Sequence, residues 1–166
     1  YFIWNDNVIL VYGQTNGNLN ILNTKDNSDY YYKLHEAGIN DIKILKNDKS
    51  YILFTCGEDC SVCVSEIVID EKGKIDLKVL TVNREVHYSA IKSLYAKSSD
   101  GHIRVITGSY DQSVNVLDYN IEKNTLKRIE KIKCCVSEIN SVSASLENDI
   151  ACAAGQGIEI YKLKHI

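Results

Sequence analysis

The sequence predicts an all-β protein built from about three to four antiparallel, four-stranded sheets that repeat along the chain. Three ungapped segments share an apolar strand, a turn of small residues and a second strand in which apolar and polar residues alternate. Asn16, Asp59 and Asp111 mark the three turns and lie 43 and 52 residues apart. No stretch of useful length has the apolar stripe of an amphipathic helix. These observations together favour stacked sheets over a helical fold.

A second motif precedes two of these turns at a constant distance. His35 lies 24 residues before Asp59, and His87 lies 24 residues before Asp111. Segment 135–142 fits the same frame with Cys135 in place of the histidine. The same 24-residue separation between histidine and aspartate occurs in two places, which indicates a structural repeat. The predicted units are an incomplete first unit at 1–34 and further units at 35–82, 87–133 and 135–164, so that the repeat fills 1–166.

The strands of each unit follow from alternating apolar and polar residues between turn-forming residues. The first unit predicts an inner-strand stub at 1–4 and strands at 8–12, 18–23 and 30–34. The second predicts 39–45, 51–56, 61–67 and 75–82, and the third predicts 90–97, 102–108, 113–119 and 125–133. The fourth predicts only 138–145, 150–154 and 158–163, and its outer strand is expected to come from elsewhere.

A four-stranded sheet of this kind has two apolar faces, and both need a neighbouring sheet to cover them. Repeats of about 40–50 residues with four strands each are typical of a β-propeller, in which the sheets are called blades. The chain contains no methionine and is expected to begin inside a longer sequence. We therefore predict a partial propeller, the C-terminal part of a longer one.

Two sets of three residues resemble the structural hydrogen-bond set of WD-repeat proteins: His35, Thr55 and Asp59, and then His87, Thr107 and Asp111. The resemblance implies that the histidine binds the carboxylate in the turn and that the threonine hydroxyl binds the other ring nitrogen. It also implies that about seven blades close the ring. The tryptophan that this superfamily usually carries late in the third strand is absent from that position, which is occupied by Leu22, Ser65, Leu117 and Tyr161.

A hydroxyl, a histidine and an aspartate are also the residue types of a hydrolytic triad. Here the set occurs twice, as a repeat requires, and no nucleophile elbow surrounds either threonine. No phosphate-binding loop or dinucleotide fingerprint is present. The sequence therefore predicts no catalytic residues, no cofactor and no small-molecule substrate, and a protein that is not an enzyme.

The densest basic stretch, on a predicted outer strand, contains Lys127, Arg128, Lys131 and Lys133. These residues are candidates for contact with RNA or another partner, since lysine and arginine neutralise phosphates. The alternative is a solvated edge strand on which lysines oppose aggregation. The net charge of −3 argues against a surface built entirely for nucleic acid.

Cys56, Cys60 and Cys63 have a spacing loosely like that of metal ligands. On adjacent strands of one hairpin they would not all point the same way, so small buried thiols are favoured over a metal site. The six cysteines lack the spacing of a secreted domain, and no N-glycosylation sequon occurs. No apolar run is long enough for a membrane span. The cysteine spacing and the missing sequon favour a reducing cytosolic or nuclear setting, and we expect a cytoplasmic protein.

Four short segments resemble the WD-repeat, non-catalytic partner of the tRNA wobble-position 2′-O-ribose methyltransferase: 35–40, 56–61, 108–112 and 155–161. The resemblance implies a scaffold that binds the catalytic subunit and presents the tRNA anticodon loop to it. Contact with tRNA would then occur within that complex. The alternative is a WD-repeat adaptor in endosomal recycling, vesicle trafficking or ubiquitin ligation.

Overall fold

A computed structural model describes residues 1–48, 50–99 and 101–164, with the side chain of Ser99 left out. Four residues of the predicted repeat region, Lys49, Asp100, His165 and Ile166, lie outside the described residues. Fifteen strands in the described part form four antiparallel sheets, and each sheet runs through its strands in chain order. The predicted class, an all-β partial propeller of blade-like sheets, is confirmed, and the sheets do not close into a ring.

The strand bounds define the four sheets. Sheet 1 contains β1 Phe2–Trp4, β2 Asn7–Gly13, β3 Asn18–Asn23 and β4 Ser28–Lys33. Sheet 2 contains β5 Ile39–Asn47, β6 Ser50–Gly57, β7 Val62–Ile69 and β8 Ile75–Asn83. Sheet 3 contains β9 Ile91–Ser99, β10 His102–Ser109, β11 Ser113–Asn120 and β12 Thr125–Lys133. Sheet 4 contains β13 Ser141–Ser145, β14 Ile150–Gly155 and β15 Gly157–Lys162.

The inner strand of sheet 4 is shorter than the sequence predicted. The predicted strand at 138–145 begins only at Ser141 in the structure. Glu138 adopts a φ of 55°, in the left-handed region, and a residue in that conformation cannot continue an extended strand. The prediction was therefore wrong by three residues at this end.

Each sheet covers the apolar face of the next. Every residue of β6 is buried, because sheet 2 lies between sheets 1 and 3. The side chains of β6 alternate between the two interfaces: Leu53 packs with sheet 1, whereas Phe54 packs with sheet 3. Phe54 meets Tyr119 edge to face, with ring centroids 5.6 Å apart. Each pair of neighbouring sheets therefore encloses its own hydrophobic core, and sheet 2 contributes side chains to the cores on both of its faces.

Glycine allows the closest approach between sheets 3 and 4. A Cβ at Gly108 would lie 2.5 Å from Cγ1 of Val142 and 2.7 Å from Cγ2 of Ile139. Contacts of this length are well below van der Waals separation, so only glycine fits there without displacing sheet 4. Gly108 therefore allows β10 to lie directly against Ile139 and Val142 of the fourth unit.

Helical structure is almost absent from the described part of the chain. One short 3₁₀ helix, Leu146–Asn148, connects β13 to β14. Nowhere within 1–48, 50–99 and 101–164 is there a helix with the length and apolar character required to cross a membrane.

Candidate functional site

The first predicted hydrogen-bond set comes together at one end of sheet 2. His35 lies in the loop before β5, Thr55 lies in β6, and Asp59 lies in the turn between β6 and β7. Nδ1 of His35 lies 3.0 Å from Oδ1 of Asp59, and Nε2 lies 2.8 Å from Oγ1 of Thr55. The neutral tautomer that donates from Nδ1 and accepts at Nε2 satisfies both contacts.

The second predicted set repeats this geometry in sheet 3. Nδ1 of His87 lies 3.0 Å from both carboxylate oxygens of Asp111, and Nε2 lies 2.9 Å from Oγ1 of Thr107. Asn115, which sequence reasoning did not mark, adds a contact from Nδ2 to Nε2 of His87 at 3.2 Å. All six predicted residues are thus arranged in two matched networks.

A serine completes each network and was missed by the sequence analysis. The hydroxyl of Ser61 donates to Oδ1 of Asp59 at 2.8 Å, and that of Ser113 donates to Oδ1 of Asp111 at 2.6 Å. Both serines lie two residues after the aspartate, so the alignment of the repeats contained the information needed to predict them. The hydroxyls also lie 3.0 Å and 3.2 Å from Nδ1 of the two histidines.

The two aspartates fix backbone as well as side chains. Asp59 accepts the N–H groups of Glu36 and Ser61 at 3.0 and 3.1 Å, which joins the loop before β5 to the β6–β7 turn. Within the turns, Cys60 and Gln112 adopt φ values of 64° and 58°. Left-handed conformations cost non-glycine residues about 1–2 kcal/mol, so the carboxylate contacts offset a real local strain.

The electrostatics favour ionised aspartates in both networks and a neutral His87. Burial by itself would raise the pKa of Asp59, but hydrogen bonds from His35 and Ser61 outweigh it and hold the pKa below its usual value. The same balance lowers the pKa of Asp111. Burial lowers the pKa of His87, although the nearby Asp111 charge opposes the shift.

A solvent-accessible base is missing from both networks. The side chains of His35 and His87 are 0 % exposed, and those of Asp59 and Asp111 are 10 % and 8 % exposed. A general base must lie within hydrogen-bond reach of a substrate proton. Both ring nitrogens of each histidine contact groups of the protein, so this arrangement joins strands and loops.

Sheet 4 replaces the network with other contacts. Its Cys135, at the histidine position, is exposed. The turn between β14 and β15, at 155–157, is shorter than the turns that carry Asp59 and Asp111, and it has no aspartate. Gln156 holds this turn: its N–H donates to the Ser137 carbonyl at 2.9 Å, and its side-chain amide donates to Glu138 at 2.8 Å. The joint loss of histidine and aspartate in this unit fits a paired structural role.

A separate set of contacts joins the inner strands of neighbouring sheets, and sequence reasoning missed it. Oδ2 of Asp41 accepts the N–H of Leu94 at 2.8 Å, across the interface between sheets 2 and 3. One interface further on, Oγ of Ser93 accepts the N–H of Val142 at 3.2 Å. Asp41 and Ser93 occupy the same repeat position, so one acceptor per unit links successive sheets.

The predicted basic residues are all exposed on β12, but they do not share one face. Arg128, Lys131 and Lys133 pair with Leu117, Asn115 and Ser113, on the side that faces sheet 2. Lys127 pairs with Asp118 and points to the opposite side. The register shift between Val116 and Leu117 keeps Arg128 and Lys131 on one face although they are three residues apart.

The three cysteines with metal-like spacing contact three different groups. The Sγ atoms of Cys56, Cys60 and Cys63 lie nearest the carbonyl of Ile91, the carbonyl of Glu58 and the hydroxyl of Ser65, respectively. Burial raises the pKa of both Cys56 and Cys63, which keeps these thiols protonated. In the described ranges no group of three or more His, Cys, Asp or Glu is placed to hold a metal ion.

No family model matches the chain, and no curated protein matches it either. The repeat positions and the geometry of the two networks are therefore the observations from which function can be inferred.

Proposed function

We propose that the chain belongs to a WD-repeat scaffold that binds partners and carries out no chemistry of its own. The observation that supports this best is the closure of both networks, in which His35 and His87 are fully buried and bonded on both ring nitrogens. Buried polar groups of this kind fix a structure when every member is satisfied. The loops that they hold then form a rigid surface for a partner.

The proposed partner is the catalytic subunit of a tRNA wobble-position 2′-O-ribose methyltransferase. The support for this step is the resemblance of four short segments to its WD-repeat partner: 35–40, 56–61, 108–112 and 155–161. In this proposal the catalytic subunit supplies the methyl-donor site in the cytoplasm, and the scaffold holds the anticodon loop against it.

Affinity purification of the tagged full-length protein, followed by mass spectrometry, tests the proposal. A ribose methyltransferase should co-purify, and deletion of the gene should remove 2′-O-methylation at the wobble nucleotide of substrate tRNAs. Unchanged methylation after deletion would contradict the proposed partner. Capture of vesicle-coat or ubiquitin-ligase subunits without a methyltransferase would instead support the trafficking or ligase adaptor.

A further inference from the structure

Two tyrosines flank the buried His87–Asp111 pair at the loop end of sheet 3. Tyr88 follows His87 and is 88 % exposed, and Tyr110 precedes Asp111 and is 42 % exposed. Tyr88 donates its N–H to Asp111 at 3.1 Å, and Tyr110 donates its N–H to the carbonyl of Ala90 at 3.1 Å. The backbone under each ring is therefore fixed by the network.

A lysine ammonium lies over each of these rings. Nζ of Lys131 is 4.8 Å from the ring centroid of Tyr88, and Nζ of Lys92 is 5.1 Å from that of Tyr110. Both distances are within the range of a cation–π contact. Lys92 also lies 3.5 Å from Glu58 of sheet 2, whereas Lys133 adds an exposed ammonium on the same face of β12. We call Tyr88, Lys92, Tyr110 and Lys131 the tyrosine–lysine patch.

Sheet 2 has none of these residues at the matching positions. Glu36 and Glu58 occupy the positions of Tyr88 and Tyr110, and Asn40 and Val82 occupy those of Lys92 and Lys131. The backbone contacts are nevertheless the same, since Glu36 donates its N–H to Asp59 and Glu58 donates to the Gly38 carbonyl. Sheet 2 thus forms its network without rings or ammonium groups at these positions. In sheet 3 the Tyr110 hydroxyl donates to Oδ1 of Asn140 at 3.2 Å, and Nζ of Lys131 lies 4.0 Å from Oδ2 of Asp111. The hydroxyl of Tyr88 has no hydrogen bond among the described residues, so the network does not account for its exposed ring.

The chemistry of the patch fits unpaired nucleotides. Exposed aromatic rings stack bases of any sequence, and neighbouring ammonium groups contact the phosphates. Tyrosines also occur at protein interfaces, but lysines are depleted there, and here a lysine ammonium lies over each ring. In the described residues from 84 to 140, the exposed large apolar side chains are the two tyrosines. Glu36 and Glu58 at the matching end of sheet 2 would repel a phosphate backbone. Because Glu58 also lies 3.5 Å from Nζ of Lys92, the phosphates are expected to lie nearer Lys131 than Lys92.

We infer that the tyrosine–lysine patch binds unpaired nucleotides of RNA by stacking on Tyr88 and Tyr110 and by phosphate contact with Lys92 and Lys131. This inference rests on the proposed function for the identity of the RNA, which would be the unpaired anticodon loop. Its own evidence is separate: sheet 3 differs from sheet 2 at four matched positions.

Fluorescence anisotropy with a fluorescein-labelled, unpaired heptaribonucleotide tests the inference on the chain. Tyr88→Ala should weaken binding at least about five-fold, which corresponds to about 1 kcal/mol for one stacked base. Tyr88→Phe should bind like the wild type because it keeps the ring. Lys131→Ala should reduce the slope of log K against log salt by about 0.7.

Glu36→Ala is the matched control, because it truncates the equivalent exposed residue of sheet 2. It should bind RNA at least as tightly as the wild type. Tyr88 is almost fully exposed, so Tyr88→Ala should keep the wild-type melting temperature. A fully paired RNA of the same length should compete poorly.

Three results would overturn the inference: no RNA binding by the wild type, unchanged binding by both Tyr88→Ala and Lys131→Ala, or loss of methyltransferase capture by Tyr88→Ala with RNA binding intact. The last would identify a protein-docking surface. If RNA binding depends on Tyr88 but no methyltransferase co-purifies, the inference stands and the proposed partner is wrong.

Discussion

Replacing Asp111 with asparagine tests the buried network, because the change removes the charge and nearly preserves the shape. The carboxylate accepts four hydrogen bonds: from Nδ1 of His87 at 3.0 Å, from the N–H of Tyr88 at 3.1 Å, and from the N–H and hydroxyl of Ser113 at 3.0 and 2.6 Å. The asparagine Oδ1 can still accept both hydrogen bonds from Ser113. Its NH₂ group, which is itself a donor, then faces the donors Nδ1–H of His87 and N–H of Tyr88.

The expected loss follows from these contacts. His87 can move its proton to Nε2, where the Thr107 hydroxyl can accept it, but the Tyr88 N–H has no comparable relief. A hydrogen bond to a charged group contributes about 1.5–3 kcal/mol, and an unsatisfied donor costs about 1–3 kcal/mol. We expect Asp111→Asn to lower the free energy of unfolding by about 2–4 kcal/mol. For a chain of this size, the melting temperature should fall by roughly 5–15 °C.

Urea and thermal unfolding followed by circular dichroism measure this loss. Asp26→Asn is a matched control, since the Asp26 carboxylate also accepts the N–H and hydroxyl of the residue two positions later, Ser28, at 2.9 and 2.7 Å. Asp26 is exposed and binds no histidine, so its replacement should change stability by less than about 0.5 kcal/mol. An effect of Asp111→Asn no larger than that of the control would refute the reasoning.

Three further predictions concern the sheet interfaces and pH. Gly108→Ala should destabilise the chain by about 1–3 kcal/mol in urea unfolding, because its Cβ would lie 2.5 Å from Cγ1 of Val142. Asp41→Ala should cost about 1–3 kcal/mol, because the Leu94 N–H loses its acceptor across sheets 2 and 3; hydrogen exchange at Leu94 should become faster. Burial lowers the pKa of His87 below 6.5, so the unfolded state binds more protons and stability should fall from about pH 7 to about pH 5, as measured by urea unfolding.

Each of these has its own control. Adding Val142→Ala to Gly108→Ala removes one of the two obstructing groups, Cγ1 of Val142, and leaves Cγ2 of Ile139 at 2.7 Å. The two effects should therefore be less than additive, and simple additivity would argue against the clash. Asp76 accepts the N–H of the next residue, as Asp41 also does, but among the described residues it has no hydrogen bond to another sheet. Asp76→Ala should therefore be nearly neutral. A His87→Gln variant should lose less stability on acidification than the wild type; equal losses would contradict the pKa argument.

The repeat was readable from the sequence because its causes are local. Alternation of apolar and polar residues, together with turns of small residues, determines strands and hairpins over short distances. The fixed separation of His35 from Asp59 and of His87 from Asp111 then indicated which loops and turns meet. The serines at the second position after each aspartate lay in the same alignment, and the same argument would have found them.

Other features depended on how the sheets stack. The link from Asp41 to Leu94 joins two inner strands, and the pairing of Tyr88 with Lys131 joins residues from opposite edges of one sheet. The division of the basic residues between two faces required the register shift in β11 and β12. Each of these features depends on short distances between segments that are far apart in the sequence. The periodicity of a strand does not determine such distances.

The sequence alone determined that this chain forms antiparallel sheets in repeating units, because strand alternation and turn chemistry act between near neighbours. Only the tertiary structure decided which side chains are buried, which carboxylates link one sheet to the next and which end of sheet 3 presents aromatic and basic groups. Those outcomes depend on packing between sheets, where a shift of one residue moves a side chain to the opposite face.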